Sequence, residues 1–207
     1  LGTRNGAVKL DRKTSKLSLF TEEDGLGGNN VYKVLCAQDG TLWFAVLGGS
    51  LTSFKNDSFK IYGPEQGLNS KFVLSMTEDN DGTLWFGCYT GGLFEYDGKT
   101  FKNYTKADGL HSETPYAVVA DKDNNIWLGT IFGIEKFNRE NNTFELYTKA
   151  DGFPGVEVNP NSIAKDNNGN LWFGTILGAV KYNPFVHRKN EVPPVIVQGA
   201  LKVNNES

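Results

Sequence analysis

The sequence predicts an all-β fold, a β-propeller made of four-stranded antiparallel blades, and three observations carry that prediction. The phrase Thr41-Leu42-Trp43-Phe44-Ala45 returns as Thr83-Leu84-Trp85-Phe86-Gly87, as Asn125-Ile126-Trp127-Leu128-Gly129 and as Asn170-Leu171-Trp172-Phe173-Gly174. The four tryptophans, which are all the chain has, stand 42, 42 and 45 residues apart, and such a period marks a repeat architecture. Each repeat divides into four short strands separated by turn residues, and no 3.6-residue apolar period lasts long enough for a helix.

Taken in order, strands are expected at 31–37, 41–46, 50–55 and 58–63, then at 72–78, 83–89, 92–97 and 100–105. The third repeat supplies 116–121, 125–130, 133–138 and 143–148, and the fourth 162–165, 170–175 and 178–183. Blades therefore fall at about 31–63, 72–105, 116–148 and 162–183, after a leading partial blade at 1–21 with strands at 6–11 and 16–21. Leu1-Gly2-Thr3 matches Leu128-Gly129-Thr130, so the chain opens where a fifth Trp would have stood and reads as a piece of a longer protein. Two arrangements fit: an arc of a larger ring, or a small four-bladed ring in which 16–21 closes onto the fourth blade as its outer strand.

The tryptophan strand is apolar at consecutive positions (Leu84, Trp85, Phe86), so both its faces must be covered, which neighbouring blades achieve. The four tryptophans are accordingly assigned to the core. Third and fourth strands, such as Ile134-Glu135-Lys136-Phe137 and Phe144-Glu145-Leu146-Tyr147, alternate and are expected nearer the rim, where every second side chain meets water. The turns before each Trp strand are rich in Asn, Asp and Gly, which tolerate positive φ. A second phrase, Asp24-Gly25-Leu26, Gln66-Gly67-Leu68, Asp108-Gly109-Leu110 and Asp151-Gly152-Phe153, joins consecutive repeats; its Gly turns the chain back and its Leu or Phe plugs the gap between blades. After Asn183 the text changes to a linker at 184–194 and a strand-like run at 195–207 that reads as the start of a further β domain.

Formal net charge is −3 with both signs interspersed, and the absence of a basic stripe excludes nucleic acid as a partner. The longest apolar runs, such as 42–47, are too short to span a bilayer. Cys36 and Cys88 occupy different phases of different repeats and are read as buried free thiols.

The phrase Asp108-Gly109-Leu110, a strand, an Asn/Asp turn, Ile126-Trp127-Leu128-Gly129-Thr130, Gly133 and a strand ending at Phe137 resembles the two-component regulator propeller repeat. The resemblance covers residues 1 to about 183, and the tail from Val192 looks like the opening of the Ig-like domain that follows such propellers. It implies a periplasmic sensor region of an inner-membrane, often hybrid, histidine kinase that responds to oligosaccharides from polysaccharide breakdown. It also implies self-association through the propeller and Ig-like region of the parent, with membrane contact only through segments outside this chain. No histidine box or nucleotide-binding Gly motif is found, so the chain itself is read as no enzyme. The Trp43 repeat departs from the pattern with Ala45 and Val46 where Gly and Thr are usual, which predicts weaker turn chemistry there.

The bland readings prevail for most candidate chemistry. Asp121-x-Asp123-x-Asn125 and Asp166-x-Asn168-x-Asn170 have the spacing that opens a calcium loop but lack its closing acid, so hairpin turns explain them, and no metal or other cofactor is assigned. The sialidase Asp-box would need Asp five residues before Trp, where Gln38, Asn80, Lys122 and Asn167 stand. A polysaccharide hydrolase or lyase would need paired carboxylates that the sequence does not place together, and remains the alternative, beside a scaffold with no small ligand. Recognition is assigned to the loops joining fourth to first and second to third strands, which emerge on one face. Its residues are Tyr89, Thr90, His111, Glu113, Phe132, Glu157 and Asn159, with Leu47, Ser112, Thr114, Ile131, Val158, Ile176 and Leu177 around them. Tyr89 and Phe132 offer rings to sugar faces, and the polar groups offer partners for hydroxyls; the alternative is that these rings pack over the central channel or against another domain.

Overall fold

The computed structural model describes residues 1–48, 50–70, 72–155 and 157–183, and the linker and strand read at 184–207 lie outside them. The strands form five separate antiparallel sheets, one per blade. Blade 1 holds β1 (Gly2–Thr3), β2 (Gly6–Leu10) and β3 (Leu17–Phe20). Blade 2 holds β4 (Val31–Cys36), β5 (Leu42–Val46), β6 (Leu51–Lys55) and β7 (Ser58–Tyr62). Blade 3 holds β8 (Val73–Glu78), β9 (Leu84–Cys88), β10 (Gly92–Tyr96) and β11 (Phe101–Tyr104). Blade 4 holds β12 (Ala117–Ala120), β13 (Ile126–Thr130), β14 (Gly133–Asn138) and β15 (Thr143–Tyr147). Blade 5 holds β16 (Val158–Lys165), β17 (Leu171–Thr175) and β18 (Gly178–Tyr182).

Each blade is a simple meander, and the first strands line the centre: β8 packs against β4 and β12, and β12 against β8 and β16. The leading blade has a short second strand, β1, which the sequence reading omitted, and its outer strand β3 pairs with β2. Blade 5 pairs within itself, so the four-bladed ring closed by 16–21 is not formed and the blades make an open arc. Strand β16 starts at Val158, four residues before the expected 162, and carries an irregularity between Val158 and Ile163.

The core lies in layers between blades. Trp43 packs on Phe86 and Tyr96 of the next blade, Trp85 on Phe137, and Trp127 on Phe173 and Tyr182. Trp172 has no following blade among the described residues and is 39% exposed, which corrects its assignment to the core. Leu10, Leu17 and Leu19 are likewise exposed on blade 1. In blades 3 and 4 the third strands are buried on both faces, as in Leu93-Phe94 and Ile134-Glu135, because blades cover them from both sides; the fourth strands are the more exposed ones.

The linking phrase folds as one device in all four copies. A three-residue 3₁₀ turn follows Thr21, Gly63, Thr105 or Thr148, and ends at Gly25, Gly67, Gly109 or Gly152, each with φ between 86° and 105°. In the three copies that open on Thr, the Asp before the Gly accepts a hydrogen bond from the Thr backbone N–H at 2.8–2.9 Å, a reciprocal cap. The next residue (Leu26, Leu68, Leu110 or Phe153) is buried between blades, which stabilises each junction by about 1.5–3 kcal/mol.

The glycine of the Trp phrase serves packing. A Cβ on Gly87 would stand 2.6 Å from the Pro115 carbonyl oxygen, and one on Gly129 2.4 Å from Val158 Cγ1, so these glycines admit the next blade's first strand. Ala45 is fully buried at the equivalent place in blade 2, so the change there touches interblade spacing, where weaker turn chemistry was expected.

Candidate functional site

The hairpins joining second to third strands and the loops leading into each first strand gather on one face of the arc. Backbone N–H groups sew them together. Gly92 donates to the Glu113 carbonyl at 2.9 Å, Thr90 to Thr114 Oγ1 at 3.1 Å, Tyr89 to the Phe72 carbonyl at 2.8 Å, and Ile176 to the Glu157 carbonyl at 3.2 Å. The structure thus brings Tyr89, Thr90, His111 and Glu113 into one neighbourhood at the junction of blades 3 and 4. Phe132 sits at the adjacent hairpin tip, and Glu157 one blade further on. Asn159 is a half-buried residue inside β16, so its expected place in a loop is corrected.

Tyr89 and Phe132 are each 50% exposed. Phe72, which the sequence reading placed in a strand, is the ring partner of Tyr89, edge-on with centroids 6.3 Å apart. Ile131, Ile176 and Leu177 continue the exposed apolar tips along the arc.

His111 is held by a residue the sequence reading had assigned to the rim. Glu135 has a side chain with no solvent exposure; its Oε1 accepts the His111 backbone N–H at 2.9 Å and lies 2.7 Å from His111 Nδ1. Burial pushes the Glu135 carboxyl up from its ordinary range, and the His111 contacts oppose that rise. Its Oε2 is buried without a partner among the described residues. The first of these contacts recurs in one other blade: in blade 2 Thr52 Oγ1 accepts the Gly27 backbone N–H at 3.1 Å at the equivalent place. In blade 5 the equivalent pair is Pro154, which has no N–H to offer, and Val180. The pairing of Glu135 with a loop N–H is visible in sequence only once the repeats are aligned on their third strands. His111, with 44% of its side chain exposed, presents its other ring nitrogen as the polar group of this face.

Of the carboxylates with calcium-loop spacing, Asp123 is exposed beside Lys122, and Asp121 and Asp166 each hold a tryptophan. Asp121 Oδ1 accepts the Asp123 and Asn125 backbone N–H groups, and Oδ2 accepts Trp127 Nε1 at 2.9 Å. Asp79 and Asp166 do the same for Trp85 and Trp172. Among the described residues there is no group of three or more His, Cys, Asp or Glu side chains able to hold a metal, and no helix long and apolar enough to cross a membrane.

Comparison with known proteins agrees with this architecture. Residues 67–90, 109–132 and 152–176 match the two component regulator propeller family. The extracellular domain of BT3049 from B. thetaiotaomicron, described as a hybrid two component system, superposes with a TM-score of 0.81 at 22% identity over 100% of this chain and 30% of that one. The extracellular domain of BT4673 from the same organism gives 0.74 at 20% identity, over 96% of this chain and 29% of that one. A streptogramin B lyase gives 0.67 at 18% identity, over 92% of this chain and 63% of that one. At these identities the likenesses establish the propeller fold, and the chain spans about 30% of the first two structures. No curated protein sequence matches the chain. One stretch in each of three consecutive blades is thus similar to the two component regulator propeller family.

Proposed function

We propose that this chain is a recognition module from the periplasmic sensor region of a membrane-bound, inner-membrane histidine kinase, and that it binds oligosaccharides released from polysaccharides. The observation that carries the sensor reading is the similarity of three blades to the two component regulator propeller family. The face described above supports the ligand class: exposed rings at Tyr89, Phe72 and Phe132 beside His111 and Glu113 offer stacking planes and hydroxyl partners together. Signalling is mechanical in this reading. Binding biases the arrangement of propeller, following domain and a second copy of the parent, and a ligand does this only if it prefers one arrangement.

The second reading is a propeller lyase or hydrolase, favoured by one observation: a half-exposed histidine held 2.7 Å from a buried carboxylate is the geometry of a general base. Calorimetric titration with a panel of neutral oligosaccharides, followed by chromatography of the mixture, separates the readings. Saturable heat with unchanged glycan supports recognition. New products that vanish in His111→Ala establish the enzyme instead, and no heat across the panel overturns the oligosaccharide assignment.

A further inference from the structure

The opposite face of the arc carries a site made by three truncated side chains. Between blades 3 and 4 the interblade slot is filled. Asp79 Oδ2 accepts Trp85 Nε1 at 2.9 Å and pairs with Arg139 Nη1 at 2.7 Å, and the guanidinium lies 5.3 Å from the Trp85 ring centroid. Glu95 closes the slot, accepting the Tyr104 hydroxyl at 2.7 Å and facing Arg139 Nη2 at 3.8 Å. Alignment of the repeats on their tryptophans and third strands puts Ala37 where Asp79 stands, Ser53 where Glu95 stands and Gly98 where Arg139 stands. These three residues line one cavity of about 520 Å³ between blades 2 and 3. A Cβ on Gly98 would meet nothing within 4 Å.

The donor in the filled slot is still present in the open one. Trp43 lines the cavity, and among the described residues its indole N–H has no acceptor, whereas the other three tryptophans each donate to an aspartate at 2.9 Å. The walls are aromatic: Tyr62 and Tyr96 lie 5.0 and 5.6 Å from the Trp43 ring, centroid to centroid. Lys60 reaches over the Tyr62 ring at 4.8 Å and has no acidic partner among the described residues. The other charges at the mouth are engaged locally. Lys55 pairs with Asp39, and Glu78 accepts the Gln38 backbone N–H at 2.7 Å.

We propose that the slot between blades 2 and 3 binds a small hydroxylated carboxylate, whose carboxyl group takes the place that Asp79 occupies next door. It accepts the Trp43 indole N–H and faces Lys60, while the body of the ligand lies against Tyr62 and Tyr96 and its hydroxyls meet Ser53 and Gln38. The site is separate from the loop face: it is built from the hairpins joining first to second and third to fourth strands, which emerge on the other side.

The probe is D-glucuronate, with D-glucose as its neutral counterpart, titrated into the ¹⁵N-labelled chain while the four indole N–H resonances are followed. The expected result is a saturable shift of the Trp43 resonance alone, with glucose at least about tenfold weaker. Ala37→Asp supplies the carboxylate that three other blades already carry, so it should fold with equal or higher melting temperature and weaken glucuronate at least about tenfold. Lys60→Ala, on the exposed outer strand, should weaken glucuronate and leave the melting temperature unchanged. Equal binding of glucose, undiminished binding in Ala37→Asp, or an unmoved Trp43 resonance each overturns the proposal. None of these outcomes bears on neutral oligosaccharides at the loop face.

Discussion

Replacing Asp79 by Ala should cost more than any surface change in the chain. Asp79 is 1% exposed and its two oxygens accept four hydrogen bonds, from the Asp81 and Thr83 backbone, from Trp85 Nε1 and from Arg139. After the change, water reaches the backbone groups near exposed Asp81 and much of the Arg139 head, which has 27% side-chain exposure. It does not reach Trp85, which is fully buried, so one indole donor is stranded at about 1–3 kcal/mol. Breaking a buried ion pair from one side costs about 3–5 kcal/mol, and the partial exposure of Arg139 puts this case at the low end, about 3 kcal/mol. For a chain of this length that lowers the melting temperature by about 6–12 °C. The assay is a thermal melt followed by near-ultraviolet circular dichroism, run beside Asp166→Ala. There the carboxyl is held down at about 2, chiefly by the Trp172 N–H, yet Trp172 is part-exposed and water can replace the lost acceptor. Asp166→Ala should therefore lose much less. Equal losses in the two variants, or a loss under about 1 kcal/mol for Asp79→Ala, would refute the view that the Asp–Trp contact braces blades by burial.

Further outcomes follow from single residues. Burial holds the Glu135 carboxyl above its ordinary value of 4.5, so its contribution to stability is full below that pH and is lost as pH rises through the raised folded value. Glu135→Gln should flatten the fall in urea-melt stability as pH rises above 4.5; an unchanged slope would contradict it. The Cys88 thiol is pushed up to about 12 by burial, whereas Cys36 is exposed, which corrects the expectation that both are buried. Iodoacetamide at about pH 8 should modify one thiol in the native chain and a second only after denaturation, as mass spectrometry would count.

Much of the fold was legible because the repeat writes the same packing problem four times. Leu84-Trp85-Phe86 is apolar on consecutive residues because β9 lies between two blades, and Leu68 or Leu110 follows a glycine because it fills the next junction. Two things escaped. Glu135 reads as a solvated position in an alternating strand, and only the blade on its other side makes it a buried carboxylate. The brace on three of the tryptophans lies one residue off the Asp-box register: the Asp stands six positions before Trp at 79, 121 and 166, one place upstream of the Asp-box position. With that register in hand, Ala37 stands out as the one repeat lacking its carboxylate. The loop-face residues share a side because topology puts alternate connections there. Which of them meet, as Thr90 meets Thr114 and Tyr89 meets Phe72, depends on hydrogen bonds and ring contacts that no spacing encodes.

The most direct test of recognition by the loop face is amide hydrogen exchange with and without a neutral oligosaccharide that gives heat in titration. Protection is predicted at the hairpin tips around Tyr89 and Thr90 and around Phe132, and in the loop from His111 to Glu113, with the hairpins at Asp81, Asp123 and Asn168 unchanged. Protection confined to those latter hairpins, or absent from the 111–113 loop, would contradict the account.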